Sequence, residues 1–171
     1  MTSLIDRPAT VFAGKVYMTE SMDQLGTFDQ AWQEFEAAGH FAALDALTDQ
    51  PNRTALLMFS PYGAFQYWIG SLLPAGTAAP AGLEAVQLPA ATVGEVSEKA
   101  DSVLANFPVE TMFSRGLERL EKAGFPLPEH IGQTDNPYYL ESYQLTEGKI
   151  TAVKHLLFIS MDQLKGYDEW D

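Results

Sequence analysis

Cysteine is absent from the 171 residues, which excludes disulfides, thiolate nucleophiles and cysteine-based metal sites. Basic side chains are also scarce: 10 Lys and Arg stand against 23 Asp and Glu, so the formal net charge is −13. Such a charge repels the phosphate backbone of nucleic acids, which basic groups would have to neutralise. We therefore expect no direct binding of nucleic acid. The same charge favours cationic ligands, or it serves solubility alone.

Long apolar runs are missing too. No segment approaches the roughly 18 consecutive apolar residues of a membrane span. The first ten residues contain one Arg and no apolar run, which is unlike a signal peptide. We therefore expect a soluble, cytoplasmic protein that does not contact a membrane.

The common motifs of metal and cofactor chemistry do not occur in the sequence. The three histidines, His40, His130 and His155, are scattered without the spacing of metal ligands. There is no His-x-x-x-His pair, Gly-x-Ser-x-Gly elbow, phosphate-binding glycine loop or dinucleotide fingerprint. Neither a metal nor a cofactor is expected.

Apolar patterning in the first half of the chain predicts a strand, a helix and a β-hairpin. The helix is indicated by three large side chains at i, i+4 and i+7, the spacing of one apolar helix face: Phe28, Trp32 and Phe35. β-Branched and aromatic runs between turn residues indicate the strands, with a kink or bulge at Gly14. The residues up to Pro8 are expected to form a loose lead-in. The predicted elements are a strand at 10–19, a helix at 27–39, and strands at 54–60 and 65–73 joined by a turn at 61–63.

The same order of elements is predicted again after residues 74–82, a stretch of proline, glycine and alanine that is typical of a connector. An extended segment follows and is interrupted at Pro89. The predicted helix of this half carries one apolar face, formed by Val109, Phe113, Leu117 and Leu120. The predicted elements are an extended segment at 83–96, a helix at 107–123, and strands at 138–145 and 150–159. The two halves share this pattern without strong residue identity.

This repeat predicts an α+β protein with duplicated strand–helix–strand–strand modules, a mainly antiparallel sheet and helices packed on one side. We expect one domain over residues 1–171. Its predicted parts are a first module at about 9–73, a linker at 74–82, a second module at about 83–161 and a C-terminal tail at 162–171.

Tyr139, Glu141 and Tyr143 alternate along one predicted strand, so they share a face of the sheet. A carboxylate between two tyrosines is unusual in a core. On a solvated face it needs no explanation, whereas on a covered face an ionised Glu is costly and needs a partner. A cationic or hydrogen-bonding ligand would be such a partner, with cation–π attraction to the tyrosine rings. The sequence leaves both interpretations open.

A second concentration of aromatic side chains occupies residues 65–70, FQYWIG. Phe65 and Tyr67 alternate onto one face of this strand and Trp68 onto the other. Because both faces carry large rings, one face is expected beneath a helix, while the other lines a cleft or belongs to the core.

The chain as a whole resembles the GyrI-like small-molecule-binding domain, also called the AraC-type effector-binding domain. Four stretches carry the resemblance, in the right order and spacing over nearly the full chain. They are the helix with Phe28, Trp32 and Phe35, the strand FQYWIG at 65–70, the segment GLEAVQLPA at 82–90, and LESY at 140–143.

The resemblance implies two modules related by a pseudo-twofold axis, with a ligand cleft between them. In several members a central glutamate among aromatic rings contacts cationic or aromatic compounds, and Glu141 matches its position. The expected ligand-binding residues are Glu141, Tyr139, Tyr143, Tyr67, Trp68 and Phe65. Regulators of the family also carry an N-terminal helix-turn-helix region. Here the domain begins almost at Met1, so the resemblance implies a stand-alone member.

Three functions fit these observations, and the sequence does not decide whether the protein is an enzyme. The first is binding of a small amphipathic compound, including cationic aromatic ones, for sensing, sequestration or drug protection. The second, known among stand-alone members of the family, is hydrolysis of cyclopropane-containing natural products, with Glu141 and Tyr139 or Tyr143 as the candidate catalytic groups. The third is a gyrase-inhibitor-like module that acts on a protein partner through its acidic surface.

Overall fold

The computed structural model describes residues 5–59, 65–103, 107–125 and 137–158. Within these residues the chain forms eight β-strands, three α-helices and a single 3-10 turn at Thr19–Ser21. In chain order the strands and α-helices are β1 (Ile5–Arg7), β2 (Thr10–Tyr17), α1 (Asp29–Ala37), α2 (His40–Asp45), β3 (Asn52–Phe59), β4 (Phe65–Pro74), β5 (Glu84–Leu88), β6 (Ala91–Lys99), α3 (Val109–Lys122), β7 (Tyr138–Thr146) and β8 (Lys149–Phe158).

The eight strands form one antiparallel sheet in the order β1-β6-β8-β7-β3-β4-β2-β5. The order is symmetric about its centre, where β3 of the first half pairs with β7 of the second. The two halves exchange their edge strands. β1 of the first half pairs with β6 of the second, and β5 of the second half pairs with β2 of the first. The predicted α+β class, with two strand–helix–strand–strand units and an antiparallel sheet, is confirmed.

Alternation along the strands divides the core into two layers, one on each face of the sheet. The helices cover one face, where Phe35 of α1 and Leu120 of α3 pack in a cluster that includes Leu57 and Ile69 of the sheet. The sheet curls, and its opposite face holds a second buried cluster. The buried members of that cluster are Phe12, Leu56, Trp68, Leu88, Val93, Leu140, Leu156 and Phe158.

At the start of the chain the expected loose lead-in is wrong, and of the kink or bulge expected at Gly14 the bulge is absent. Residues 5–7 are not a loose lead-in but form β1, which pairs with β6 from Ile5 opposite Val93 to Arg7 opposite Ala91. No bulge interrupts β2 at Gly14, since its pairing with β4 runs without a register shift. Gly14 instead lies opposite Gly70, and a Cβ on Gly14 would collide with the main chain at Ile69. Glycine is therefore required there for close strand approach.

The buried face of α3 also differs from the prediction. Its buried residues are Val109, Met112, Gly116 and Leu120, whereas Phe113 and Leu117 are only partly buried. The turn predicted at 61–63, His130 and the predicted tail at 162–171 lie outside the described residues.

Candidate functional site

Glu141 lies at the centre of the sheet, where the two halves of the fold meet. Its strand, β7, places it opposite Ala55 of β3 on one side and opposite His155 of β8 on the other. Strand alternation turns Tyr139, Glu141 and Tyr143 toward the helices, and only 4% of the Glu141 surface is exposed. The structure thus decides between the two interpretations of this strand: its polar face is covered, not solvated.

Two tyrosines and a histidine surround the Glu141 carboxyl group. The Tyr143 hydroxyl donates a hydrogen bond to Glu141 Oε1. His155 Nδ1 lies 3.7 Å from Glu141 Oε2 and 3.1 Å from the Tyr139 hydroxyl, within hydrogen-bond distance of the latter. The three polar groups therefore form one connected cluster around a buried carboxyl.

Burial dominates the titration of this cluster. It raises the pKa of Glu141 to about 7, although the Tyr143 hydrogen bond and the Arg115 charge act in the opposite direction. Burial also lowers the pKa of His155, against the attraction of Glu98, and raises the pKa of Tyr139 well above its usual range. Near neutral pH, Glu141 is therefore divided between its protonated and ionised forms.

Helix α3 covers the cluster and brings two arginines to it. Arg119 forms an ion pair with Glu98 of β6. Glu98 lies 3.6 Å from His155 Nε2, a buried nitrogen that has no hydrogen-bond partner among the described residues. Arg115 lies over the ring of Phe107, with 5.4 Å between the guanidinium carbon and the ring centroid. Two acidic and two basic side chains thus face each other beneath α3.

Gly116 sets how closely α3 approaches the sheet. A Cβ at this position would overlap the Tyr139 hydroxyl and lie 2.5 Å from Tyr139 Cζ. The cavity left beside Glu141, between α3 and the sheet, measures about 20 Å³. That volume is enough for about one water molecule, so this arrangement is closed to an organic ligand.

The predicted aromatic lining divides between the two faces of the sheet. Tyr67 lies on the face of Glu141, where it stacks on Phe28 with 4.1 Å between ring centroids and accepts a 2.8 Å hydrogen bond from Trp32 Nε1. Its pKa is raised by burial and by the nearby charge of Glu141. Phe65 is partly buried in the same layer. Trp68 lies on the opposite face, edge-on to Phe12 at 6.3 Å, and the structure does not bring it to Glu141.

Sequence reasoning missed His155, Glu98 and the two arginines of α3. For His155 a signal was present, because it alternates with Val153 and Leu157 along β8 and so points into a buried face. Its contact with Glu141 joins residues 14 positions apart through the register of β7 with β8. The positions of Glu98, Arg115 and Arg119 depend on how α3 lies on the sheet, which no local pattern indicates.

Among the described residues, no group of three His, Asp or Glu side chains is placed to hold a metal ion. No helix in the same part of the chain is long and apolar enough to cross a membrane.

Comparison with known proteins identifies a shared fold. No family model and no curated protein matches the sequence. The solved structure of SAV2435 bound to tetraphenylphosphonium is similar, with a TM-score of 0.56 and 14% identity over 91% of this chain and 92% of that chain. A candidate bacterial transcription regulation protein from Staphylococcus aureus MU50 gives a TM-score of 0.54 and 14% identity over 92% of this chain and 97% of that chain. These similarities are consistent with a GyrI-like ligand-binding fold, and at such identity they show the fold alone.

Proposed function

We propose that this protein binds a small amphipathic cation with aromatic groups next to Glu141. The observation that carries the proposal is the buried carboxyl itself, which lies between two tyrosines and has a pKa of about 7. An ionised carboxylate in surroundings of low polarity attracts a cation far more strongly than an exposed one does. The rings of Tyr139, Tyr143 and Tyr67 add apolar surface and cation–π attraction.

The similar structure of SAV2435 supports this class of ligand, because in it that protein is bound to tetraphenylphosphonium, a lipophilic aromatic cation. Such a compound needs several hundred Å³ of space, the usual volume of a site for drug-sized ligands. Since the cavity beside Glu141 measures about 20 Å³, binding requires α3 to move away from the sheet. Only molecules in which α3 is displaced can bind the ligand. The apparent affinity is therefore the intrinsic affinity multiplied by the fraction of such molecules.

The test is isothermal titration calorimetry of tetraphenylphosphonium at pH 6, 7 and 8. The cation and the proton compete for the Glu141 carboxylate, so affinity should rise with pH and level off above about 7. Titration in buffers of different ionisation enthalpy should show release of nearly one proton at pH 6 and almost none at pH 8.

Two variants locate the effect. Glu141→Gln should weaken binding by about tenfold or more and remove its dependence on pH, since a buried charge pair is worth more than 1.4 kcal/mol. The control is Glu121→Gln, an exposed carboxylate on α3 that should leave both properties unchanged. Equal binding by wild type and Glu141→Gln at pH 8 would overturn the proposal.

Hydrolysis is a second candidate function, favoured by the arrangement of Glu141, Tyr143 and His155. A carboxyl with a pKa of about 7 can donate a proton at neutral pH and accept one later in the cycle. Opening of a strained cyclopropane by water needs such a group, because one ring carbon receives a proton while the other receives hydroxide. Product formation that disappears in Glu141→Gln while binding of the compound persists would favour this function. The protein-interaction module stays a prediction from the sequence.

A further inference from the structure

A cleft outside the Glu141 site lies at the end of the opposite face of the sheet. Its volume is about 320 Å³, which lies in the range of sites for small molecules. Ser142 and Gln144 of β7 and Lys154 of β8 line it from the centre of the sheet, and Arg7 and Thr10 line it from the connection between β1 and β2. The cleft therefore shares strands with Glu141 but no side chain, because neighbouring residues on a strand point to opposite faces.

The base of the cleft is polar, whereas a buried apolar cluster occupies another part of the same face. Thr54 Oγ1 donates to Asn52 Oδ1 at 2.6 Å and lies 2.7 Å from Ser142 Oγ, and these three side chains are at most 4% exposed. Gln144 Nε2 donates to Ser142 Oγ at 3.0 Å. A hydrogen-bonded network of this kind holds its groups in fixed positions.

The charges of the lining are the reverse of those expected from a protein with a net charge of −13. Arg7 and Lys154 contribute two positive charges and Asp49, at the rim, contributes one negative charge. Arg7 reaches Glu95 only at 3.5 Å, the limit of a hydrogen bond. Within the described part of the chain, the Lys154 ammonium group has no ion-pair or hydrogen-bond partner. Because Arg7 pairs with Glu95, Lys154 is the unpaired positive charge of the lining among the described residues, and one negative charge would neutralise it.

An unused hydroxyl group is the second sign of a binding site. Thr10 Oγ1 is buried and has no hydrogen-bond partner among the described residues, yet Thr10 lines the cleft. Leaving a buried hydroxyl without a partner costs about 1–3 kcal/mol. A rotation of the Thr10 side chain toward the cleft would let a ligand supply the missing hydrogen bond.

We propose that this cleft binds a small monoanionic hydroxy acid. The carboxylate of the ligand pairs with Lys154 and Arg7, and its hydroxyl groups bond to Thr10 and Gln144. Asp49 and the single unpaired positive charge of the lining disfavour a dianion such as a phosphate ester. The two cationic side chains repel the lipophilic cations proposed for Glu141, so the two faces of one sheet would select ligands of opposite charge.

The test is an NMR titration of the amide resonances with gluconate, glycerate and quinate at constant ionic strength. At least one of them should cause saturable shifts at Thr10, Ser142 and Lys154. Sorbitol, which has the hydroxyl groups of gluconate without its charge, should cause none. Lys154→Gln should weaken binding by about tenfold, while Lys149→Gln, an exposed lysine of the same strand, should not change it.

Thr10→Val separates this site from a merely structural role of the residue. Because the hydroxyl has no hydrogen-bond partner among the described residues, its replacement by a methyl group should leave the unliganded protein equally or more stable. Binding of the acid should nevertheless weaken by about threefold to tenfold. Glu141→Gln should leave it intact, so failure here and failure at Glu141 are distinguishable. Absence of saturable shifts with all three acids, equal shifts with sorbitol, or unchanged binding by Lys154→Gln would each overturn the proposal.

Discussion

At the scale of single residues, Glu141 is buried and its carboxyl group titrates near neutral pH. Its folded pKa of about 7 lies above the ordinary value of 4.5 because burial disfavours the charged form. Between these two values the folded protein binds more protons than the unfolded chain does. The free energy of unfolding should therefore fall as the pH rises from about 4.5 to about 7, and Glu141 should have no further effect above that range.

Glu141→Gln should remove this loss of stability at high pH. The variant should be more stable than wild type at pH 8, by up to about 3 kcal/mol, since one pKa unit corresponds to 1.36 kcal/mol. At pH 4.5 the two proteins should be nearly equal, because the carboxyl group is then protonated in the folded state. Urea unfolding at both pH values measures the difference. A variant that is less stable than wild type at pH 8 would show that the carboxylate stabilises the fold.

At the scale of secondary-structure elements, the packing of α3 on β7 determines access to Glu141. Gly116→Ala would bring a methyl group into the Tyr139 ring and force the helix away from the sheet. We expect a loss of about 1–3 kcal/mol in the free energy of unfolding, because overpacking outweighs the better helix propensity of alanine. Ser114→Ala, on the exposed side of the same helix, is the matched control. Denaturant unfolding of both variants is the measurement, and equal stability would mean that α3 is not held by this contact.

The positive charges of α3 should oppose a cationic ligand in the same place. Arg115 lowers the pKa of Glu141, which shows that its charge acts on the carboxyl group. Because loss of Arg115 raises the pKa of Glu141, the comparison belongs at pH 9, where the carboxyl group is ionised in both proteins. There Arg115→Gln should bind tetraphenylphosphonium about threefold to tenfold more tightly, for a gain near 1 kcal/mol. Lys122→Gln, exposed on α3, should have no comparable effect. Isothermal titration calorimetry of both variants is the measurement. Tighter binding by both would indicate a general effect of net charge.

At the scale of the whole molecule, exchange of the edge strands ties the two halves together. Three residues of β1 pair with β6 of the second half, and Arg7 contacts Glu95 there. Deletion of residues 1–7 should lower the free energy of unfolding by about 1–2 kcal/mol, since several hydrogen bonds of about 1 kcal/mol each are lost. It should also promote association, because it exposes the edge of β6.

Urea unfolding and light scattering at several protein concentrations test this deletion. Unchanged stability together with a monomeric state would mean that β1 contributes nothing to the sheet. A truncation of residues 1–4 alone, which leaves β1 intact, is the control.

Local patterns in the sequence were sufficient for most of the elements and for the polar face of β7. The spacing of Phe28, Trp32 and Phe35 predicted α1, and alternation placed Tyr139, Glu141 and Tyr143 on one face. Both follow from the fixed periods of helix and strand. The pattern failed for β1, because a three-residue edge strand is specified by its partner rather than by its own composition.

Tertiary structure decided whether the face with Glu141 is covered, which charged groups accompany it, and that Trp68 lies elsewhere. His155 reaches Glu141 through strand register, while Glu98 and Arg119 meet beneath α3 although they are 21 residues apart. The cleft with Lys154 and Thr10 brings together residues of β1, β2, β7 and β8, which are distant in the sequence. The sequence by itself determined the periodicity of the helices and strands, the fold class and the net charge, since these depend on composition and on residues close together in the chain. Contacts between distant strands depend on the register and curvature of the folded sheet, and these bring together the residues of the two candidate sites.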